Sequence, residues 1–444
     1  MKHKSFMLIA GEASGDVLGA ELVSALRREF EDAAAVPTED LQPLYIGLEP
    51  RFFGAGGPRM AAEGVDLAFD LTAHSVVGFT DVLKKPLKFR RLFSQLFQLA
   101  LARQPDAIVC VDFSEFNFHF AHAIRQYTRA HADWFHDWHP KIIRYPSPQV
   151  WASREGRAYQ MARDLDLVLS IFAFEKDWYV KRVPELPVEF VGHPIVDRHG
   201  GRLPGHSRIE PLNPTRPSSP SLARAEGEGA GVRQAPKSGA PSPQTVLLLP
   251  GSRASEIVHH LPVMLAALDL IRAKVPDLRA CMVLPSEKLV QQARTLGLPA
   301  WLQGRVGGLA EALSEADVAI ASTGTVTMEC AYFGVPTVAL YKTSWITYQI
   351  GRRIVKVKYL AMPNLLADDE VFPEFIQGAA TADSLTRATV DLLRDETRRT
   401  RVKAKLAEIV ASLGPPGASQ RAAKAILEAL SAAQTDVPKS RHAN

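Results

Sequence analysis

Short apolar runs alternate with amphipathic stretches along most of this chain. A short apolar run predicts a buried strand, and apolar residues at i, i+3 and i+4 predict a helix. In the first half the pattern predicts strands at 6–10, 51–54, 107–112, 141–145, 166–171 and 188–191, and helices at 16–30, 86–103, 117–130 and 174–182. In the second half it predicts strands at 245–249, 279–284, 317–321 and 336–341, and helices at 256–273, 286–295 and 325–333, before a mainly helical stretch to about 433. This alternation is typical of an α/β protein with parallel sheets.

A stretch rich in Pro, Gly, Ser and Arg divides the pattern into two halves. It runs from about Arg198 to Gln244 and has almost no aromatic residues or apolar periodicity, which predicts a flexible linker. A chain of 444 residues, 46% of them apolar, is long enough to form two cores. The predicted organisation is a first domain at 1–197, a linker at 198–244, a second domain at 245–433 and a disordered tail at 434–444.

Two further segments, 31–50 and 131–140, interrupt the pattern like insertions. The second holds His and Asp among tryptophans, but without ligand spacing, which favours a surface loop over a metal site. The N-terminal apolar run stops at Gly11, too short for a signal-peptide core, and no run reaches the roughly 18 apolar residues of a membrane span. We therefore expect a cytoplasmic protein.

The three cysteines, Cys110, Cys281 and Cys330, lie far apart in apolar stretches and predict buried thiols in a reducing compartment. The formal net charge of +4 is too diffuse to indicate nucleic-acid binding. One region is more strongly charged, because residues 82–105 contain no acid. Its apolar residues keep helical spacing between lysines and arginines. Such a helix either lies on an anionic membrane surface or packs its apolar stripe into a core. A third possibility combines the two, with the helix docked on the domain and its basic rim facing lipid, and the pattern leaves all three open.

Two turns in the second half have the form of phosphate-binding turns. VLLLPGSR at 246–253 and VAIASTGTVTME at 318–329 each run from a strand through small residues into a helix, whose N-terminus favours an anion. Arg253 suits a diphosphate, and Glu329 can accept hydrogen bonds from a ribose diol. Neither turn is a P-loop or a dinucleotide fingerprint, which disfavours ATP hydrolysis and NAD chemistry. Either turn alone is common in α/β proteins, but together they predict a nucleotide diphosphate site.

Small-residue turns also follow the strands of the first half, at 11–16, 52–60, 111–117 and 145–154. Turns at the carboxyl ends of parallel strands share one edge of a sheet. Two Rossmann-like domains that face each other across a cleft form the GT-B architecture, which is the fold class predicted here.

A series of motifs in this order resembles the bacterial lipid-A-disaccharide synthase family over nearly the whole chain. They are GEASGDVLGA, FGAGGPRMAAEG, VVGFTDVL, PDAIVCVDFSEFN, PSPQVWASREGR, FEKDWY, FVGHPIVD, LLPGSRASEI, TGTVTMEC and PNLLADDEVFPEFIQ. The resemblance implies an inverting glycosyltransferase. It would condense UDP-2,3-diacylglucosamine with 2,3-diacylglucosamine 1-phosphate into the β-1,6 disaccharide 1-phosphate and release UDP, without cofactor or metal.

The resemblance also assigns roles to residues. Asp112 matches the family's essential aspartate and is the candidate general base, although an Asp here could simply cap the next helix. Glu115 is the alternative base. Arg253 would bind the pyrophosphate and Glu329 the ribose hydroxyls.

Weaker assignments complete the predicted site. Ser14, Gly15 and Asp16 would border the acceptor or the sugar. Asn364 would close the cleft from the second domain, or would instead fix a turn after Pro363. Gln149 and Trp151 are interpreted as structural, although they could shape the donor pocket.

Both substrates implied by the resemblance carry acyl chains. We therefore expect peripheral association with the inner-membrane surface through residues 82–103, and a homodimer through the C-terminal helices is a further expectation from the family. WASR, FAFE and STGT stand where the family usually has WAWR, FPFE and ASGT, which leaves the acyl-chain choice open. The alternatives are a UDP-N-acetylglucosamine 2-epimerase or a peptidoglycan-type N-acetylglucosaminyltransferase, and a noncatalytic lipid- or nucleotide-binding protein.

Overall fold

The computed structural model describes residues 3–35, 49–75, 86–133, 137–200 and 243–435. Within these ranges the first half forms a seven-stranded sheet in which every pairing is parallel, with the strand order β3-β2-β1-β4-β5-β6-β7. Its strands are β1 (Ser5–Ala10), β2 (Arg51–Gly56), β3 (Asp66–Asp70), β4 (Ala107–Val111), β5 (Lys141–Tyr145), β6 (Leu167–Ser170) and β7 (Val188–Phe190).

Helices cover both faces of this sheet. They are α1 (Ala13–Ala35), α2 (Pro58–Ala62), α3 (Thr72–Ser75), α4 (Pro86–Arg103), α5 (Ser114–Ala130), α6 (Val150–Ser153), α7 (Arg157–Asp164), α8 (Ala173–Val180) and α9 (Pro194–His199). Met7 and Ile9 of β1 pack into the core on one face, and Phe6 and Leu8 pack into the core on the other. Burial on both faces explains why the central strands are continuous apolar runs.

The second half repeats the plan with a parallel sheet of order β10-β9-β8-β11-β12-β13 in the described part of the chain. Its strands are β8 (Thr245–Leu249), β9 (Arg279–Leu284), β10 (Gln303–Val306), β11 (Val318–Ser322), β12 (Thr337–Tyr341) and β13 (Glu374–Ile376). Its helices are α10 (Ala254–Lys274), α11 (Glu287–Thr295), α12 (Leu309–Glu315), α13 (Thr325–Tyr332), α14 (Trp345–Ile354), α15 (Met362–Ala367), α16 (Ala382–Arg394), α17 (Glu396–Ser412) and α18 (Ala418–Thr435).

Among the described helices, α10 is long and apolar enough to cross a membrane. It instead forms part of the second core, where Ile257, Leu261, Met264 and Leu268 are buried. Its length and composition are therefore those of a core helix.

Two helices contribute to the core of the other half of the structure. The last helix, α18, was placed by the sequence analysis in the domain 245–433, but it packs on the first sheet, where Ala422, Ala423, Ile426 and Leu430 are buried in the core that contains Phe6. It lies beside α1 and packs on β5 and β6. Conversely, Ile195 and Val196 of α9 belong to the second core. The second core therefore ends near Leu413, before the predicted limit.

Several predicted segments lie outside the described residues. These are most of the linker (201–242), most of the tail (436–444) and parts of the predicted insertions (36–48 and 134–136). The remainder of the first insertion includes the end of α1, which continues to Ala35.

Candidate functional site

Asp112 lies directly after β4 and has an unusual backbone conformation. Its φ is +48°, and that of the next residue, Phe113, is +46°, a region that residues other than glycine seldom adopt. Hydrogen bonds fix it there, because the Asp112 N–H donates to the Tyr145 carbonyl at 2.9 Å while its own carbonyl accepts from the side chains of Asn117 and Arg144. The surrounding structure thus holds the strained turn in one conformation.

The loop after β1 packs closely against this turn. Ser14 Oγ donates to Asp112 Oδ2 at 2.8 Å. A Cβ on Gly15 would come within 3.1 Å of the Asp112 Cβ, and a Cβ on Gly11 would lie 2.4 Å from the Phe113 ring. A side chain at Gly11 would therefore displace the Phe113 ring, and one at Gly15 would crowd Asp112. Ser14 and Gly15 lie beside Asp112, and their predicted place next to the acceptor or the sugar stays a prediction.

Arg253 reaches this loop from the second sheet. It precedes α10, and its Nη2 donates to Glu12 Oε2 at 2.9 Å. Glu256 fixes the turn, because its carboxylate accepts from the N–H groups of Ser252 and Arg253 at 2.8 and 3.3 Å. Burial, reinforced by the charge of Asp112, raises the pKa of Glu12, and Arg253 partly offsets that rise. An ion pair therefore joins the loop beside Asp112 to the predicted diphosphate turn.

Glu329 lies on α13, near a second contact between the halves. Its Oε2 is 2.9 Å from Nε2 of His199, the last residue of α9. The His199 ring packs on Tyr332 and Phe333, with centroid distances of 5.4 and 4.9 Å. One carboxylate oxygen of the predicted ribose-binding residue thus contacts the segment that leads out of the first half.

Two predicted site residues have structural roles instead. Asp16 is buried, and its carboxylate accepts from the N–H groups of Gly57, Arg59 and Met60 at 2.8–3.0 Å, which caps α2. Both carboxylate oxygens of Asp16 are thereby engaged by backbone N–H groups at the start of α2.

Asn364 is buried as well. Its amide donates to the Phe372 carbonyl and to Glu374, and its oxygen accepts from the Phe372 N–H, all at 2.7–2.8 Å. Asn364 therefore fastens α15 to the segment before β13. The prediction that it reaches the cleft is not supported by this geometry.

Glu115, the alternative base, is held by two arginines. It pairs with Arg154, and with Arg157 at 2.8 Å. Burial works to raise the pKa of Glu115, but the hydrogen bonds and charges of Arg157 and Arg154 outweigh it and lower that pKa. A carboxylate held in this way is a poor proton acceptor.

Trp151 lies in the short helix α6, and Gln149 directly precedes that helix. Trp151 Nε1 donates to Glu175 at 3.0 Å, and burial raises the pKa of Glu175 to about 7. Gln149 is exposed at the start of α6. The structural interpretation of Trp151 fits this contact with a buried carboxyl group.

The apolar stripe of α4 faces the first core. Leu92 and Leu96 are buried, and the ring of Phe93 packs edge-on against Phe116 and Phe120 at 5.5 and 5.6 Å. The apolar stripe of α4 therefore packs into the core and does not face a membrane. The opposite face is exposed and carries Leu87, which is 80% exposed, and basic side chains.

The described residues contain no cluster of three or more His, Cys, Asp or Glu that could hold a metal ion. Cys110, Cys281 and Cys330 are free and buried, as predicted. Burial raises the pKa of the Cys110 and Cys330 thiols to about 12. These thiols are therefore inert at neutral pH.

Sequence comparison identifies relatives along nearly the whole chain. The family model described as lipid-A-disaccharide synthetase matches residues 6–210 and 234–429. A lipid-A-disaccharide synthase from Geobacter sulfurreducens is 33% identical over 426 residues, which cover 96% of this chain and 97% of the relative. One from Myxococcus xanthus is 32% identical over 430 residues, with coverage of 96% and 97%.

Comparison with solved structures supports the predicted fold class. A UDP-GlcNAc 2-epimerase from Neisseria meningitidis, bound to UDP-GlcNAc, aligns with a TM-score of 0.55 at 9% identity over 96% of this chain and 100% of that one. The calicheamicin glycosyltransferase CalG4 aligns with a TM-score of 0.54 at 13% identity over 99% and 100%. At such identities the likeness concerns the fold alone, two Rossmann-like domains of the GT-B type.

Proposed function

The chain belongs to the lipid-A-disaccharide synthase family, and from this premise we propose how the loop after β1 and the turn before α10 take part in the reaction. The enzyme is a glycosyltransferase of lipid A biosynthesis. It condenses UDP-2,3-diacylglucosamine with 2,3-diacylglucosamine 1-phosphate, forms the β-1,6-linked disaccharide 1-phosphate and releases UDP. Because the chain matches this family, the alternative functions of an epimerase, a peptidoglycan-type transferase and a noncatalytic binding protein are not pursued.

In our proposal the donor binds to the second half of the chain. Arg253 contacts the diphosphate at the N-terminus of α10, where the helix dipole favours an anion. Burial works to lower the pKa of Arg253, but Glu12 and Glu256 raise it, which keeps the guanidinium charged. Glu329 accepts from the ribose hydroxyls through the oxygen that His199 does not engage.

Asp112 is the proposed general base. It takes the proton of the acceptor 6-hydroxyl as that oxygen bonds to the anomeric carbon, while the bond from this carbon to the diphosphate breaks and UDP leaves. Arg253 and the helix N-terminus stabilise the charge on the departing diphosphate. The observation that carries this assignment is the 2.9 Å contact between Arg253 and Glu12, because it brings the diphosphate turn to the loop that touches Asp112.

We further propose that the enzyme works in the cytoplasm, at the surface of the inner membrane. Both substrates carry acyl chains and reside in lipid. The outer face of α4, with Leu87, Arg90 and Arg91 exposed, offers an apolar side chain and positive charge to anionic head groups. The apolar stripe of α4 takes no part, since it packs in the core.

Mass spectrometry of the disaccharide 1-phosphate tests the function and the base together. Purified enzyme with both substrates should form product equally well with and without EDTA. Asp112→Asn should lower turnover by about 10²–10⁴-fold, the usual contribution of a general base, while UDP binding persists. Asp391→Asn, the same change at an exposed position on α16, is the matched control.

Two outcomes would contradict the proposal in different ways. Undiminished turnover by Asp112→Asn would remove Asp112 as the base. Absence of product from the wild-type enzyme with donors of every acyl length, while UDP still binds, would remove the lipid substrates and leave the fold and the nucleotide site. Loss of product in EDTA would overturn the metal-free mechanism.

A further inference from the structure

We infer that a pocket beyond the carboxyl end of β12 receives one acyl chain of the donor. The inference rests on the proposed function, because it presumes a diacylated UDP-sugar. The pocket has a volume of about 320 Å³ and is lined chiefly by Lys342, Thr343, Trp345, Tyr348, Gln349 and Gln377. That volume lies at the lower end of the roughly 300–1,000 Å³ typical of ligand sites and suits a single chain.

The position of the pocket fits the donor and not the acceptor. His260 connects it to the diphosphate turn, because Nδ1 donates to the Pro250 carbonyl at 2.7 Å and Nε2 accepts from the Lys342 N–H at 3.0 Å. The Pro250 carbonyl can only accept, so Nδ1 is the donor in the 2.7 Å contact. Arg253 follows three residues after Pro250. A sugar attached to a diphosphate at this turn would therefore have its acyl chains near the pocket.

Two polar side chains of the pocket, Lys342 and Gln377, form hydrogen bonds within the protein. Lys342 Nζ donates to the carbonyls of Gln377 and Ala380, both at 3.1 Å. The Gln377 amide accepts from the Thr343 N–H at 2.7 Å and donates to the Thr343 carbonyl at 2.9 Å. These bonds also hold Gln377 at its φ of +52°. These bonds hold two of the lining side chains in place, and the rings of Trp345 and Tyr348 offer a ligand apolar surface.

Trp345 is the most exposed large apolar side chain among the residues that line the pocket. It is the first residue of α14, which Ser344 caps, and it is 71% exposed. Tyr348 follows three residues later on the same side of the helix and lines the same pocket. An indole this exposed at a pocket mouth loses its contact with water when an apolar chain lies against it.

Trp301 provides a matched comparison in the same half of the chain. It is 41% exposed, but Arg272 stacks over its ring at 3.8 Å from the centroid. Trp301→Ala therefore removes a surface tryptophan of equal size that does not line the pocket. Because Trp345 is more exposed still, Trp345→Ala should leave the fold intact.

The test measures kcat/KM against donor chain length for wild type, Trp345→Ala, Trp345→Phe and Trp301→Ala. Each buried methylene is worth about fourfold, so shortening the chain in the pocket by two methylenes should lower kcat/KM of the wild type and of Trp301→Ala about 15-fold. For Trp345→Ala the cost should fall below about threefold, with partial recovery in Trp345→Phe. Affinity for UDP, which has no acyl chain, should be equal in all four.

Other results would overturn the inference. An unchanged chain-length dependence in Trp345→Ala, with wild-type product formation intact, would refute the pocket and leave the proposed function standing. If Trp345→Ala instead weakened sedimentation with anionic vesicles and kept the chain-length dependence, Trp345 would be a membrane contact. If the wild type formed no product with any donor, the proposed function itself would fail first.

Discussion

The carboxylates near the cleft differ in what holds them, and this separates their roles. Backbone N–H groups hold Asp16, two arginines hold Glu115, and Asp112 accepts a hydrogen bond from the Ser14 hydroxyl. A hydroxyl can accept as well as donate, so it can adjust when Asp112 takes a proton. Of these three groups, Asp112 is the one whose surroundings fit a proton acceptor.

Glu12 is a residue that sequence reasoning missed, and its contact leads to a prediction. It pairs with Arg253, which in the proposed function also binds the diphosphate. Glu12→Gln should therefore tighten UDP binding by up to about fivefold, because a partly exposed ion pair contributes up to ~1 kcal/mol. Isothermal titration calorimetry measures this, with Glu189→Gln, an exposed carboxylate paired with Lys176, as the control. Weaker UDP binding would show that Glu12 positions Arg253 for the ligand.

Residue types in turns predicted site roles for Asp112, Arg253 and Glu329, which stay predictions. They also suggested Asp16 and Asn364, whose side chains are engaged with backbone groups of the protein. A buried Asp or Asn in a turn looks the same in sequence whether it serves the backbone or a ligand. The partners Glu12 and His199 lie 241 and 130 positions from the residues they contact. Such pairs depend on how the two halves dock, which a local pattern does not contain.

At the scale of elements, the hydrophobic pattern predicted the strands that are buried on both faces of a sheet. β1, β4, β5, β8 and β9 lie within a residue or two of the prediction. β3, β10 and β13 were missed because they are short edge strands whose residues are mostly half-buried or exposed. Their pairing depends on the neighbouring strand, and their own sequence has little apolar signal.

The two faces of α4 should respond differently to substitution. Phe93→Ser should cost about 3–5 kcal/mol of unfolding free energy, as expected for loss of a packed core ring. Arg90→Glu with Arg91→Glu should keep stability but release the enzyme from anionic vesicles, and added salt should weaken wild-type binding. Urea unfolding and vesicle sedimentation measure the two effects.

Charge alone must be controlled in that experiment. Arg401→Glu with Lys403→Glu reverses the same charge on exposed positions of α17. If this double substitution released the enzyme from vesicles to the same extent as the double substitution on α4, vesicle binding would depend on net charge. Vesicle binding that survived reversal at α4 would require another surface.

At the scale of the whole molecule, α18 joins the end of the chain to its beginning. Deleting residues after Leu413 should destabilise the first half, because burial of Ile426 and Leu430 alone contributes about 3–6 kcal/mol. Removing only the residues after Thr435 should leave the melting temperature unchanged. Circular dichroism on heating compares the two truncations. Equal stability of both would show that α18 is dispensable.

A homodimer through the C-terminal helices stays a prediction, although α18 already uses an apolar face within one chain.

The return of α18 also has a consequence for synthesis in the cell. A ribosome releases β5 and β6 well before the end of the chain, but α18, which packs on the face that carries Ile143 and Leu169, emerges only after the entire second half has been made. At about 5–20 residues per second, that face of the first sheet waits about 10–50 seconds for its cover. We therefore expect the nascent chain to depend on chaperones during this interval, and the two halves to complete their folding together rather than in the order of translation.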